Sequence, residues 1–215
     1  MSNYHSRNLR RVAGVLCQEL NSTGDSDVVC EVFSNRVHSG DPNYLGSTLP
    51  KCLAIIKQNL STFYELHGSS IYNYTDDDKG KGNEKWIRFK WDEMLDKDLV
   101  YIVLFKRDTT KIVGFTSVAL SDPLNPELDH SKLNRPCLFL YEIHLMGEYQ
   151  SRGLGSLIFN GLLIPLARDL TCPSIELCVF TANDVACRWY KRLGFQLTVE
   201  FSEHLIGMSR VIGAS

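Results

Sequence analysis

One segment limits the fold more than any other. An apolar run, CLFLYEIHL (137–145), is followed by the glycine-containing stretch QSRGLGS (150–156) and then by IFNGLLIPLARDL. Periodicity predicts a strand, a tight turn and a helix over about 153–169. The first N–H groups of a helix are unpaired and carry positive charge, so this turn suits an anion such as a phosphate or pyrophosphate. Taken alone, Gly153 and Gly155 are weak evidence for a ligand, because a tight turn that needs glycine conformations is the more frequent explanation.

The elements around this segment predict a mixed α/β sheet with helices on its faces. Asn183 is a good N-cap and Gly194 is a good residue to end a helix, so a helix is predicted between them. Pro165 predicts a local kink within the helix before it, at about 153–169. The predicted strands are 99–105, 112–120, 137–145, 174–180 and 195–201, the first two joined as a hairpin, and the later helix is 183–193.

The first third of the chain is predicted to be largely helical. Residues 5–20 form one expected helix and 49–66 a stronger one, with Leu53, Ile56, Leu60 and Phe63 on one stripe. The polar stretches 21–48, 72–85 and 121–136 are expected to be loops. We therefore predict that an N-terminal helical segment and loop, 1–48, packs on the main part of the chain, 49–215, and that the two together form a single domain.

Composition excludes several classes of protein. The formal net charge of −2 lacks the basic excess of a general nucleic-acid binder. No stretch approaches the ~20 apolar residues of a membrane helix, and the N-terminus lacks the apolar core of a secretion signal, so we expect an intracellular protein without membrane contact. The seven cysteines are scattered without a C-x-x-C pair, which predicts buried reduced thiols and no metal site.

Two motifs resemble the GNAT superfamily of N-acetyltransferases. QSRGLGS fits the Q/R-x-x-G-x-G/A pattern of this superfamily. NDVACRWYKRLGF (183–195) is similar to the superfamily's pattern on the helix that lies beside the thioester of acetyl-CoA. The resemblance covers about residues 95–201. It implies the GNAT fold, a mixed central sheet flanked by helices with an N-terminal helical extension here, and acetyl-CoA as co-substrate without a metal. The residues implied to contact acetyl-CoA are Ile143, His144, Leu145, Gln150, Ser151, Arg152, Gly153, Leu154, Gly155, Ser156, Asn183, Ala186 and Tyr190.

Within the superfamily, LFLYEIHL, VFTAN (179–183) and the N-terminal extension are most similar to the enzymes that acetylate the Ser-Gly-Arg-Gly amino terminus of certain histones. This resemblance implies histone tail peptides as partners, no direct nucleic-acid binding, and a monomer of the nucleus and cytoplasm. Phe139 stands where such relatives carry a tyrosine. The alternatives are a lysine or small-amine acetyltransferase and a non-catalytic CoA-binding module.

The predicted catalytic residues are Glu142, Tyr141 and Tyr190. An α-amine with a pKa near ~8 needs a proton acceptor, and Glu142 at the strand end is the candidate base, directly or through a water; its other reading is an ion-paired sheet carboxylate. A regular strand would place Tyr141 on the opposite face, so a shared role requires a β-bulge. Tyr190 is read as a proton donor to the thiolate or as core packing. A nucleophilic pair of Cys178 and His144 is disfavoured, because both are expected to be buried and inert.

A peptide groove is the last expectation. The aromatic residues Trp86, Trp91, Tyr72 and Tyr74 are predicted either to line it or to cover the core, and Asp122 or Glu127 to pair with a peptide arginine. The predicted peptide contacts are Trp86, Tyr72, Phe139, Tyr141, Glu142, Asp122 and Cys178.

Overall fold

A computed structural model describes residues 2–22, 27–34, 42–74, 85–124 and 135–213. The predicted loop carrying Asp76, Asp77 and Asp78, and the predicted contact Glu127, lie outside these ranges. The helices are α1 (Ser2–Ser22), α2 (Pro42–Tyr72), α3 (Lys85–Met94), α4 (Leu154–Ile158), α5 (Ile164–Asp169) and α6 (Asp184–Arg192). The strands are β1 (Val28–Ser34), β2 (Val100–Lys106), β3 (Ile112–Ser121), β4 (Cys137–Leu145), β5 (Ser174–Phe180), β6 (Gln196–Ser202) and β7 (Leu205–Val211).

The seven strands form one mixed sheet in the order β1-β2-β3-β4-β5-β7-β6. Neighbouring strands are antiparallel except β4 and β5, which are parallel. The predicted mixed α/β sheet is therefore confirmed. The prediction of a loop over 21–48 was wrong, because VVCEVFS pairs with β2 as an edge strand and α2 begins at residue 42. Its flanking polar residues hid a short strand whose apolar residues alternate imperfectly.

Both faces of the sheet are covered by helices. One core, which we call the α1/α5 core, includes Leu9 of α1, Leu140 of β4 and Leu166 of α5. The other, the α2/α3 core, includes Ile56 of α2, Trp86 of α3 and Phe115 of β3, with the predicted stripe residues of α2 packed on it. Burial on both faces explains why β2 reads VYIVLFK, an almost continuous apolar run, and does not alternate.

Local signals set the ends of the later helices. The helix after the glycine loop widens into a π-helical turn over Phe159–Leu163, directly before Pro165, so the predicted local disruption is confirmed. The Asn183 side chain accepts a hydrogen bond from the Ala186 N–H (3.2 Å) at the start of α6, and Gly194 ends it with a φ of 87°. None of the helices in the described part of the chain has the apolar length that a bilayer span requires.

All seven cysteines are free thiols, and five of them are buried. Cys187 is partly buried, and Cys178 is exposed, which corrects the expectation that Cys178 is a buried side chain of its strand. Desolvation and the nearby carboxylates of Glu93 and Glu176 raise the pKa of Cys178 to about 11. A thiol with that pKa stays protonated at neutral pH, so the structure offers no activated nucleophile at this position.

Candidate functional site

A bulge in the middle of β4 places two predicted catalytic residues on one face of the sheet. Glu142 lies opposite Ser117 of β3, but the next residue of β3, Val118, lies opposite Leu140, so Tyr141 is the extra residue. Tyr141 packs on the α2/α3 core, and Glu142 contacts α3 on the same side. The irregular backbone that a shared role of Tyr141 and Glu142 requires is therefore present.

The carboxylate of Glu142 is buried between a lysine and a histidine. Its Oε1 is ion-paired with Nζ of Lys90 on α3, and its Oε2 lies 2.5 Å from Nε2 of His144. Glu142 is 6% exposed. Burial acts to raise the pKa of Glu142, but Lys90 and His144 outweigh it and lower that pKa to about 2. Glu142 is thus an anion throughout the pH range in which the fold is expected to act.

A chain of hydrogen bonds joins this carboxylate to the glycine loop. Nδ2 of Asn59, on α2, donates to Nδ1 of His144 (3.3 Å) and to the carbonyl of Leu145 (3.1 Å). Because Nδ1 of His144 accepts, its proton sits on Nε2 and is donated to Glu142. Gln150 donates to the same Leu145 carbonyl (3.0 Å) and to Oδ1 of Asn59 (3.4 Å). The first residue of the QSRGLGS stretch is thereby held against the site.

The glycine loop lies beside a gap between two strands. β4 and β5 pair only from Leu138 to Leu140 on the β4 side, so the rest of each strand, including Ile143 and Leu145 on β4, is not paired across this gap. Ser151 and Gly153 both have positive φ, 58° and 81°. A Cβ added to Gly153 would meet nothing within 4 Å. The loop is therefore open to a ligand at the N-terminal turn of α4, as an anion site requires.

The second glycine of the motif, Gly155, lies in close contact with α6. A Cβ at Gly155 would approach Cζ2 of Trp189 to 3.1 Å, so this glycine allows the indole of α6 to pack on α4. Gly153 is therefore the open position of the motif, whereas Gly155 is a close packing contact, and the binding of acetyl-CoA by either glycine stays a prediction. Exposed Arg152 stacks its guanidinium over the ring of Tyr149, 5.6 Å from the centroid.

Tyr190 of α6 lies on the α1/α5 side of the sheet, packed against Phe195 (5.5 Å between centroids). Burial, Glu142 and Cys187 raise its pKa, so its hydroxyl keeps its proton. That hydroxyl makes no hydrogen bond to the described residues. The ring of Tyr190 therefore packs in the core, and its role as a donor to the thiolate stays a prediction.

The predicted peptide contacts separate into two groups. Trp86 was predicted to line a groove, which was wrong: it is 0% exposed and stacks on Tyr64 at 4.6 Å, because α3 buries it under α2. Tyr72 is partly exposed, and its hydroxyl donates to Glu93 (3.3 Å). Phe139 and Tyr141 are partly exposed and meet edge to face at 4.8 Å. Asp122 and Cys178 are exposed, at the end of β3 and on β5.

Three residues of the site were not predicted from the sequence: Lys90, Asn59 and Ser117. Lys90 occupies the buried face of α3 with Trp86 and Met94, at a spacing of four residues that is a helix signal. Ser117 is 1% exposed and opposite Glu142, and its hydroxyl has no hydrogen-bond partner among the described residues. A buried hydroxyl without a protein partner is a place where a water or a substrate group is expected to bind.

This chain is similar in sequence to several known proteins. The sequence pattern of the Acetyltransferase (GNAT) family matches residues 61–195. N-alpha-acetyltransferase 40 of Saccharomyces cerevisiae is 28% identical over 157 residues, 68% of this chain and 51% of that protein. Spermine/spermidine N(1)-acetyltransferase of Bacillus subtilis (strain 168) is 34% identical over 89 residues, 41% of this chain and 55% of that protein. The chain spans about half the length of the curated relatives it matches.

A similar solved structure is that of PH1933 from Pyrococcus horikoshii OT3. It aligns with a TM-score of 0.49 and 19% identity and covers 85% of this chain and 98% of that chain.

Proposed function

The chain belongs to the acetyltransferase (GNAT) family, and on that premise we propose that it transfers the acetyl group of acetyl-CoA to the α-amine of a protein amino terminus. The observation that carries this proposal is the β4 bulge, which presents Tyr141 and Glu142 together on the strand that leads into the glycine loop. The yeast relative named N-alpha-acetyltransferase 40 supports an amino-terminal substrate. The finer proposal is an enzyme of the N-alpha-acetyltransferase D type, acting in the nucleus and cytoplasm on histones that begin Ser-Gly-Arg-Gly.

Acetyl-CoA is proposed to lie along the gap between β4 and β5. The open, positive-φ turn at Gly153 fits a pyrophosphate group, with Arg152 adding positive charge. Backbone groups of the unpaired part of β4 would hold the pantetheine arm, and α6 would flank the thioester. The full proposed set is Ile143, His144, Leu145, Gln150, Ser151, Arg152, Gly153, Leu154, Gly155, Ser156, Asn183, Ala186 and Tyr190.

The acetyl transfer forms one C–N bond and breaks one C–S bond. The substrate ammonium first loses a proton to water, and its lone pair then attacks the thioester carbon. The thiolate of CoA leaves and takes a proton from solvent, and the new amide nitrogen releases its second proton. Tyr190 keeps its own proton and donates a hydrogen bond to the sulfur as negative charge develops there.

Glu142 is proposed to act on the amine as a fixed anion. A carboxylate with a pKa of about 2 is a weak acceptor for an ammonium with a pKa of ~8, so it is a poor final destination for the proton. It can instead accept a hydrogen bond from the amine and orient the lone pair. The unpartnered hydroxyl of Ser117 is a suitable partner for the water that removes the proton. This changes the task expected of Glu142 from general base to orienting anion.

The peptide is proposed to enter on the α2/α3 side of the sheet. Tyr141 and Phe139 form an aromatic wall there, and Cys178, Tyr72 and Asp122 are the remaining proposed contacts. A small first residue followed by glycine lets the peptide backbone pass these rings, whereas a long lysine side chain would have to thread past Tyr141. The carboxylate of Asp122 is proposed to pair with the peptide arginine.

A small-amine acetyltransferase is the second candidate, because the Bacillus subtilis relative is named for spermine and spermidine. The test is release of CoA thiol by the purified chain with four acceptors: a Ser-Gly-Arg-Gly peptide, the same peptide with a bulky second residue, an amino-capped peptide with free lysines, and spermidine. We expect fast release with the first, much slower release with the second, and almost none with the others. Comparable release with spermidine or with the capped peptide would replace the proposed substrate.

A further inference from the structure

Lys90 is a buried lysine that the proposed function does not use. It lies on α3 with 3% of its surface exposed. Its ammonium group contacts the carboxylates of Glu93 (2.5 Å) and Glu142 and lies 5.8 Å from the centroid of the Tyr64 ring. Lysine is almost never fully buried unless it is paired, and its flexible side chain loses conformational freedom when it is held in one position. A lysine kept here therefore calls for an explanation.

The geometry shows what Lys90 holds. Lys90 contacts Oε1 of Glu142, and His144 contacts Oε2, so α3 and β4 fix the carboxylate from two sides. Both nitrogens of His144 are engaged, one by Glu142 and one by Asn59. The positive charge of Lys90 is therefore held directly against a carboxylate whose other oxygen is already engaged by His144.

The groups around Glu142 come from every element packed against it. Lys90 and Glu93 belong to α3, Tyr64 and Tyr72 to α2, Tyr101 to β2, His144 to β4 and Tyr190 to α6. The tyrosines are protonated at neutral pH, because burial raises the pKa of each of the four. Burial also acts to raise the pKa of Glu142, and the charge of Lys90 is the largest opposing effect. Without it, the carboxyl group would titrate at a higher pH.

We infer that Lys90 is a positioning residue of the acetyl transfer: its ammonium group keeps Glu142 ionised and turned toward His144, so that a fixed anion meets the substrate amine. The inference rests on the proposed function for its catalytic part. Lys90 itself does not touch the substrate in this account. It acts through Glu142, and its effect is therefore expected to depend on pH.

The test compares kcat/KM of the wild type and Lys90→Met between about pH 6 and pH 9 with the same peptide. Titration of the substrate amine affects both enzymes equally, so it cancels in the ratio of the two values. We expect the wild type to exceed the variant by at least about tenfold at the acidic end, with the ratio falling as pH rises and Glu142 ionises in the variant. A ratio near one, or a large ratio that does not change with pH, would overturn the inference.

Two variants guard against misfolding. Lys51→Met removes an exposed lysine of α2 and is expected to leave the ratio at one across the range. The double variant Lys90→Met with Glu93→Gln removes one positive and one negative charge together, so it spares the fold an unbalanced charge while leaving Glu142 in place. It is expected to show the same pH-dependent ratio as the single variant, and a flat ratio in the double variant would also refute the role of Lys90.

A second readout does not depend on activity. Carbon-13 NMR of the glutamate carboxyl groups, with Glu142 assigned by its loss in Glu142→Gln, is expected to show this group ionised at every pH where the wild type is folded. In Lys90→Met, the same signal should titrate at a pH well above 4.5, the ordinary value for Glu142. An unchanged signal in the variant contradicts the inference. If the wild type acetylates none of the acceptors but the signal moves, the proposed function fails and the control of Glu142 by Lys90 stands.

Discussion

Replacing Glu142 with Gln is expected to remove a pH-dependent part of the stability of the fold. The pKa of Glu142 is lowered from 4.5 to about 2, a difference of about 2.5 units (4.5 − 2). At about 1.4 kcal/mol per unit, this corresponds to roughly 3–4 kcal/mol of unfolding free energy. Because Glu142 is 6% exposed, solvent screens its interactions with Lys90 and His144 only weakly.

The sign follows from the direction of the shift. The folded pKa lies below the unfolded one, so the stabilisation is fully present above pH 4.5 and is lost as the pH falls through about 2. Roughly half of it should remain near pH 3. Glu142→Gln lacks the titrating group, and the difference in unfolding free energy between the wild type and this variant should shrink correspondingly between about pH 5 and pH 3.

Urea unfolding followed by circular dichroism at several pH values measures this difference. The matched control is Glu148→Gln, which breaks an exposed ion pair with Lys111 (2.6 Å, with the two side chains 52% and 49% exposed) and should change stability far less. If the difference for Glu142→Gln were equally large at pH 3 and pH 7, loss of packing and not loss of charge would be its source, and the reasoning about the Lys90 pair would be refuted.

The remaining predictions concern four single substitutions, two in the glycine loop, one in the α2/α3 core and one on α6. Gly153→Val forces a β-branched residue to a φ of 81° and fills open space at the loop, so the Kd for acetyl-CoA measured by calorimetry should rise at least about tenfold. Gly155→Val should mainly lower the stability measured by urea unfolding, because the new side chain would collide with Trp189. Trp86→Ala should lower the unfolding free energy by about 3–5 kcal/mol, measured in urea, because the ring is fully buried in the α2/α3 core. Tyr190→Phe should lower kcat by about a hundredfold, because the variant no longer donates a hydrogen bond to the sulfur as negative charge develops there. The calorimetric Kd for acetyl-CoA and the stability should be nearly unchanged, because the lost hydroxyl has no hydrogen-bond partner among the described residues.

Much of the fold is readable from local patterns. The stripe on α2, the strands from 99 to 201 and the helix boundaries at Asn183 and Gly194 all follow from periodicity and capping, and the structure contains them. The bulge at Tyr141 could be predicted only as a condition, because nothing in LFLYEIHL indicates which residue is left out of the pairing. Register depends on the partner strand, which a local pattern does not contain.

The missed elements fail for identifiable reasons. α3 was not predicted, because its buried face is Trp86, Lys90 and Met94, and the lysine interrupts an apolar stripe that is otherwise regular. β7 was missed because LIGMSRV contains Gly207, a residue that weakens a strand pattern. The structure shows the reason for that glycine, since a Cβ there would lie 2.8 Å from Cδ1 of Leu124.

The candidate site shows the same limit of local reasoning. Gln150, Gly153 and Glu142 were predicted as site residues from motif and resemblance. The hydrogen bonds through Asn59 and His144 that connect Gln150 to Glu142 were not predicted, because they join distant parts of the sequence. The longest of them, from Gln150 to Asn59, joins residues that are 91 positions apart. Lys90 lies 52 positions before Glu142 in the sequence (142 − 90). Contacts of this length arise from the way the helices pack on the sheet, and they decide the ionisation state of the carboxylate.

The central claim is that the acetyl group is delivered to a free amino terminus. The most direct measurement incubates the chain with acetyl-CoA and a peptide that begins Ser-Gly-Arg-Gly and contains internal lysines, and locates the acetyl group by fragment-ion mass spectrometry. Acetyl is expected on the α-amine of the first serine, and almost no product is expected when that amine is already capped. Acetyl found mainly on lysine side chains, in either peptide, would show that the amino terminus is not the acceptor.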